Sequence, residues 1–285
     1  MIFSSHYKQS KFYLATKHKK SLALAKAFKD ILDVEIIEHN IDTDLLGTFS
    51  GEIERQDSPI DTARKKCLIS IKDLDAQFAL ASEGSFSPHP LIPFLSSDHE
   101  ILYFIDRINN FEIHLSEISM ETNFNKQEIY DIDNLFEFAQ KALFPSHGLI
   151  LSSLDSNNQK YIFKDLENIN DLETAFQKCL SHSCLKKVLV ETDMRAHKNP
   201  TRMKIIENLG KKLALRLLEP CPECFTPGWG KTDIELGLPC ESCLLPTNEI
   251  KSEIFTCPKC THKEYLPPAH QKKFAEPRFC PICNP

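Results

Sequence analysis

Glycine is scarce in this chain. Only 8 of its 285 residues are Gly, well under the usual ~7%. Neither G-x-G-x-x-G nor G-x-x-x-x-G-K-[ST] occurs, which excludes a dinucleotide fingerprint and a P-loop. Long apolar runs are missing too: no stretch approaches the ~18 residues needed to span a bilayer. The first residues, MIFSSHYKQSKF, lack the apolar core of a signal peptide. A cytoplasmic protein with no membrane partner is the expectation. There is no basic excess either. The net charge is −6, which argues against a general affinity for nucleic acid.

Cysteine, by contrast, is abundant, with 11 residues. Eight form four Cys-x-x-Cys pairs: Cys221/Cys224, Cys240/Cys243, Cys257/Cys260 and Cys280/Cys283. Disulfides do not need such tight pairs, and a reducing cytosol opposes them. A tetrahedral zinc ion does need them, because one Cys-x-x-Cys turn supplies two sulfurs and a second turn closes the site. Redox dithiols and an iron–sulfur cluster are the alternatives, but no cluster-type spacing is present. Fifteen residues separate Cys224 from Cys240, and nineteen separate Cys260 from Cys280. Both gaps suit a hairpin between neighbouring pairs. Sequential pairing into two zinc ribbons is therefore expected, with a crossed pairing as the less economical alternative. All eight thiolates are then used, so both zincs are structural.

Composition divides the chain. Eleven of the 17 prolines fall in residues 216–285. That tail has too little apolar surface to offset its chain entropy unaided, and zinc binding contributes on the order of 10–16 kcal/mol per site in peptide models. It holds 8 Lys/Arg against 9 Asp/Glu, a poor footprint for nucleic acid, so packing on the first domain or binding a protein partner is the expected role. Residues 1–215 read as α/β, a mixed sheet with flanking helices. KFYLAT, VEIIEH, QFALAS, ILYFID, FEIHLSEI, GLILSS and KVLVET predict strands. KKSLALAKAFKDIL, DNLFEFAQKALF and LETAFQKCL predict helices. Asn109-Asn110 marks a hairpin. A last helix starts at Asn199-Pro200, with Ile206, Leu209, Leu213 and Leu217 on its apolar stripe.

Polar residues concentrate in four places. In ATKHKKS, Thr16, Lys17, His18 and Lys20 lie where a strand turns into a helix, an arrangement that suits phosphate. DTDLLGTFSGEIER carries Asp42, Asp44, Glu52 and Glu54, whose oxygens suit magnesium, together with Arg55. In ALASEGSFSPHP, Glu83 is read as a carboxylate at a strand end, with Gly84 permitting a sharp turn at the sheet rim. In ETDMRAHKNPTRM, Asp193, Arg195, His197, Lys198 and Arg202 crowd a turn that could clasp a phosphate or a base. Each has a plainer reading: a solvated lysine-rich helix start, an acidic surface loop, a buried structural carboxylate, and ion pairs within the turn.

Two resemblances follow from these residues. LATKHKK, DTDLLGTFSGEIER, LASEGSFSPHP, FPSHGLIL, ETDMRAHKNPTRM, GWGKTD, GLPCESC and CPICNP together resemble an uncharacterised bacterial family with a zinc-ribbon tail. That resemblance implies no activity. The order of features in the first domain is similar to the inosine/xanthosine triphosphate pyrophosphatases, although His18 stands where that family commonly has Asn, and Lys198 where Arg is expected. The second resemblance implies a magnesium-dependent phosphoanhydride hydrolase. Thr16 and Lys20 would hold phosphates, Glu83 would hold Mg2+ and His197 would meet the base; Glu52 is the expected second catalytic acid, and Arg195 and Arg202 from the His197 turn are expected to contact the substrate. The rival expectation is a non-catalytic protein that binds a nucleotide or other small anion and engages a protein through its ribbons.

Overall fold

In a computed structural model, which describes residues 6–41 and 57–285, the chain forms three sheets. The first is built from β1 (Lys11–Ala15), β2 (Glu35–His39), β3 (Phe78–His89), β4 (Ile92–Asp106) and β5 (Phe111–Ser119), in the order β2-β1-β3-β4-β5. β1 runs parallel to β2 and β3, whereas β4 and β5 are antiparallel additions. Helix α1 (Ser21–Leu32) crosses between β1 and β2. This is the mixed sheet expected from the sequence.

Strand parity sorts the sheet's two faces. Phe12 and Leu14 of β1, Phe78 and Leu80 of β3, and Leu102 and Phe104 of β4 share one core with α1 and the last helix, α5 (Pro200–Leu218). Five phenylalanines and Tyr7 fill it, with Phe12 and Phe104 stacked at 4.9 Å. The Tyr7 hydroxyl donates to Asp106 Oδ2 at 2.9 Å, and the same carboxylate accepts from Asn109 at the β4–β5 turn. Ala79, Ala81, Ile101, Tyr103 and Ile105 face the other way, onto α2 (Pro59–Leu74). Small side chains there let α2 lie close to the strands.

The second sheet is antiparallel, in the order β6-β9-β7-β8: β6 (Lys126–Ile129), β9 (Val188–Thr192), β7 (Leu149–Leu154) and β8 (Lys160–Phe163). Helices α3 (Ile132–Lys141) and α4 (Ile169–His182) bury Leu135, Phe138, Leu172 and Phe176 against it. Side-chain oxygens cap these helices, Asp131 on α3 and Asn168 on α4. Asn199 caps α5 by accepting from the Arg202 N–H, with Pro200 in the first turn, as the sequence predicts. α5 carries the chain past residue 215 to Leu218 and delivers it directly to the first cysteine knuckle. The third sheet is an antiparallel ribbon of β10 (Gly230–Leu236), β11 (Ile250–Thr256) and β12 (Lys263–Leu266). Among the described residues no helix is long and apolar enough to cross a membrane.

Candidate functional site

The eight paired cysteines gather into two clusters. One holds Cys221, Cys224, Cys257 and Cys260, the other Cys240, Cys243, Cys280 and Cys283, with all sulfurs of a cluster within 4.8 Å of one another. Cys221–Cys260 and Cys224–Cys257 sulfurs lie 3.8 and 3.6 Å apart, and Cys240–Cys283 and Cys243–Cys280 lie 3.9 and 3.6 Å apart. Four sulfurs at the zinc–thiolate bond length define a tetrahedron of edge about 3.8 Å. Each cluster fits one zinc ion.

The pairing is crossed, not sequential, and the strands explain why. After the first knuckle, β10 carries the chain about 20 Å away from it to the second knuckle at Cys240. β11 then returns antiparallel, pairing Leu236 with Ile250 and Gly230 with Thr256. Cys257 and Cys260 therefore arrive beside Cys221 and Cys224. β12 reverses the chain again, and a parallel bridge between Cys240 and Ala275 brings the fourth knuckle to the second. Trp229 stacks on His262 at 5.1 Å beside the first cluster.

The candidate polar site lies on the first sheet. β3 does not end at Glu83. It continues to His89, and Gly84 pairs with Glu100 of β4 in mid-strand. The glycine is needed for space rather than for a turn. A Cβ at Gly84 would fall 2.3 Å from Glu100 Oε1 and 2.4 Å from Arg202 Nη2. Over this bare backbone the fully buried Arg202 guanidinium reaches down from α5, donating Nε to Glu100 and Nη1 to the Met194 carbonyl, with its Cζ 5.4 Å from the Phe86 ring.

Parity puts Glu83 on the opposite face, buried under α2 and ion-paired with Lys66. It is an internal carboxylate rather than one at an open rim facing the Thr16–Lys20 turn. Among the described residues, the only groups of three or more His, Cys, Asp or Glu that could hold a metal are the two cysteine clusters. Glu52, with Asp42, Asp44, Glu54 and Arg55, lies outside the described residues.

The Thr16–Lys20 turn differs from expectation in one respect. The Ser21 N–H at the start of α1 already donates to Glu38 Oε1 at 3.1 Å, so that helix terminus has a carboxylate of its own. Buried Thr16 accepts from the His18 N–H, and Lys17 is exposed. Lys20 folds inward, donating Nζ to Ser82 O at 2.8 Å and Ser82 Oγ at 2.9 Å. Among the described residues it has no ion-pair partner. Burial and the Arg202 charge lower its pKa to about 7.

The His18 and His197 rings stack at 5.1 Å. Burial, Lys20 and His197 drive His18 down to about 3, and burial with Arg195 lowers His197. Both rings are neutral at physiological pH. Beside them opens a groove of about 600 Å3 lined by Lys19, His197, Lys198, Met203 and Lys204. Arg195 points elsewhere, into ion pairs with Asp193 and Asp165. The turn thus brings His197 to the candidate pocket, sends Arg202 beneath it and locks Arg195 within itself.

Lys66, Ser82, Asp98 and Glu100 escaped sequence reading. Asp98 and Glu100 share the parity of Leu102 and Phe104, and that alternation, extended upstream of ILYFID, places two acids on a core face. No donor among the described residues reaches either Asp98 oxygen. Burial and the adjacent Glu100 push its pKa to about 8.

A comparison with curated proteins finds no match, so the likeness to the inosine/xanthosine triphosphate pyrophosphatases rests on motif residues alone. A family model described as a domain of unknown function, DUF6671, matches residues 66–285, which take in Lys66, Glu83, Glu100, Arg202 and all eight paired cysteines. That match covers well over half of the chain, which belongs to the DUF6671 family.

Proposed function

We propose that the pocket between the Thr16–Lys20 turn, β3 and the His197 turn binds a nucleotide or comparable phosphorylated anion. One observation carries this reading. Lys20 is a buried amine with no carboxylate partner among the described residues, whereas its neighbours Lys66 and Arg202 each have one. Glu100 and Glu83 act on it only from beyond ion-pair distance, and a buried cation so weakly compensated is costly unless a ligand supplies the counter-charge. The neighbouring groove sets Lys19, Lys198 and Lys204 against Glu207, a net positive lining that attracts an anion to this side of the molecule.

The test is calorimetric titration with nucleoside triphosphates, standard and deaminated, against wild type and Lys20→Met. The variant keeps the bulk of the side chain and removes the charge. It should fold at least as stably and bind at least tenfold more weakly. Binding should also take up a proton. The free amine titrates near 7 and the anion favours its charged form, so affinity holds below that pH and falls above it, approaching tenfold per pH unit. Equal affinity in Lys20→Met would discard the reading.

A second reading adds catalysis: a magnesium-dependent phosphoanhydride hydrolase. Its metal ligand would be Glu83, which follows Ser82 along β3 but points to the opposite face, where Lys66 now holds it. Mg2+ would have to displace Lys66 from Glu83 and recruit a second acid such as Glu52. Glu83→Gln should then abolish hydrolysis while nucleotide binding through Lys20 survives. In either case the two zincs stabilise the ribbon, which offers exposed Phe225 and Leu244 on its knuckles to a protein partner.

A further inference from the structure

We propose that the seam between the zinc ribbon and the first sheet is a separate binding site for a small oxyanion, anchored by the guanidinium of Arg216. This arginine lies in the last turn of α5 and donates Nε to the Gly228 carbonyl at 3.0 Å. Its stem packs so closely on the ribbon that a Cβ at Gly230 would come within 3.2 Å of Cγ and Nε. The remaining guanidinium N–H groups have no protein partner among the described residues.

That is unusual within this molecule. Arg64, Arg107, Arg195, Arg202 and Arg278 each have a carboxylate at ion-pair distance. Arg216 alone among the described arginines has none, although it is half-buried and burial lowers its pKa from the usual arginine value. The carbonyl end of α5 supplies only partial negative charge.

The guanidinium faces a slot of about 430 Å3 between β5 and the ribbon, lined also by His114, Ser116, Lys231, Thr232 and Thr256. Both bordering strands, β5 and β10, are edges of their sheets. The acids nearby are already committed. Glu112 takes the bidentate Arg64 contact and the Tyr103 hydroxyl, and Glu253 takes Lys231. What remains is a planar fork of donors and the Ser116 hydroxyl around a positively charged slot, the chemistry that recognises phosphate or carboxylate, while Thr232 and Thr256 hydrogen-bond within the ribbon.

Trp229 provides the readout. It is the only tryptophan and stands between Gly228, which Arg216 holds, and Gly230, on which it packs. Intact zinc-loaded protein is titrated with inorganic phosphate in one arm and acetate in the other, following Trp229 emission. A saturable change is expected in at least one arm, and the arm that responds identifies the anion. Arg216→Gln should weaken it at least tenfold with zinc content and circular dichroism unchanged. Lys20→Met should leave it intact, which separates this site from the proposed nucleotide pocket. No saturable response in either arm, unchanged affinity in Arg216→Gln, or loss of the response in Lys20→Met would each overturn the proposal. Should Arg216→Gln lose zinc, the variant Ser116→Ala decides instead: it leaves the Gly228 contact in place, and wild-type affinity there overturns the proposal equally.

Discussion

Asp98→Asn should make the protein more stable, and increasingly so as pH rises. The wild-type carboxyl is buried next to Glu100, and those two causes raise its pKa from 3.8 to about 8. The folded state therefore holds a proton that the unfolded chain releases. Below pH ~4 both states are protonated and the site costs nothing. Between pH ~4 and ~8 the native state becomes progressively less stable, by up to about 1.4 kcal/mol per pH unit. Above pH ~8 the full difference is reached, on the order of 5 kcal/mol. Asparagine does not titrate, and its amide brings no charge into the buried site. The assay is urea unfolding across this pH range, followed by circular dichroism at 222 nm. Every α-helix ends by Leu218, so the helical signal reports the first two sheets and their helices and not the ribbon. At an m-value of ~2 kcal/mol/M the midpoints should coincide at low pH and separate by about 2.5 M at high pH. Parallel curves for wild type and variant would refute the reasoning, since they would mean that Asp98 ionises as an ordinary surface carboxylate.

Elemental analysis should find two zinc ions per chain. A chain cut after Thr256 should retain neither, because it keeps two ligands from each crossed cluster; one retained zinc would restore sequential pairing. Gly84→Ala should destabilise by about 3–5 kcal/mol, the cost of disrupting a buried ion pair, because its Cβ would collide with both Glu100 and Arg202. Thermal unfolding of this variant close to wild type would show that the pair relaxes without loss.

The fold was legible wherever large apolar residues repeat at the period of the element. α1 presents Leu24, Phe28 and Leu32, and α5 presents Ile206, Leu209, Leu213 and Leu217, all buried. Helix α2 was not legible, because its buried face consists of Thr62, Ala63, Lys66, Cys67 and Ser70. That face has the right spacing but no hydrophobic amplitude, since it packs on the alanines of β3 and pairs with a buried glutamate. β6 and β8, at four residues each, are too short to establish an alternation. Four-cysteine sites suited to zinc could be read from the cysteine pairs, but which pairs share a site could not. Loop length favours neighbours, whereas strand direction decides which ends meet, and only the β10–β11 register settles that.

The Glu83-Gly84 dipeptide shows the same limit at the scale of two residues. A glycine after a carboxylate suggests a turn, and a turn would place both residues at a sheet rim. The strand instead continues, and the pleat sends adjacent residues to opposite faces. Glu83 meets Lys66 under α2, while the bare face of Gly84 admits Arg202 and Glu100 under α5. Two buried ion pairs thus flank one strand at the same level. Lys20 lies on the Arg202 side, hydrogen-bonded to Ser82 in the space those pairs leave. Two of the buried cations have a carboxylate at ion-pair distance and Lys20 does not, so the local field favours one further negative charge at a fixed point. A phosphate oxygen brought to Lys20 would supply it without disturbing either pair. A metal ion at Glu83 would first have to break one. That difference is why anion binding, rather than metal-dependent hydrolysis, is the reading this arrangement favours.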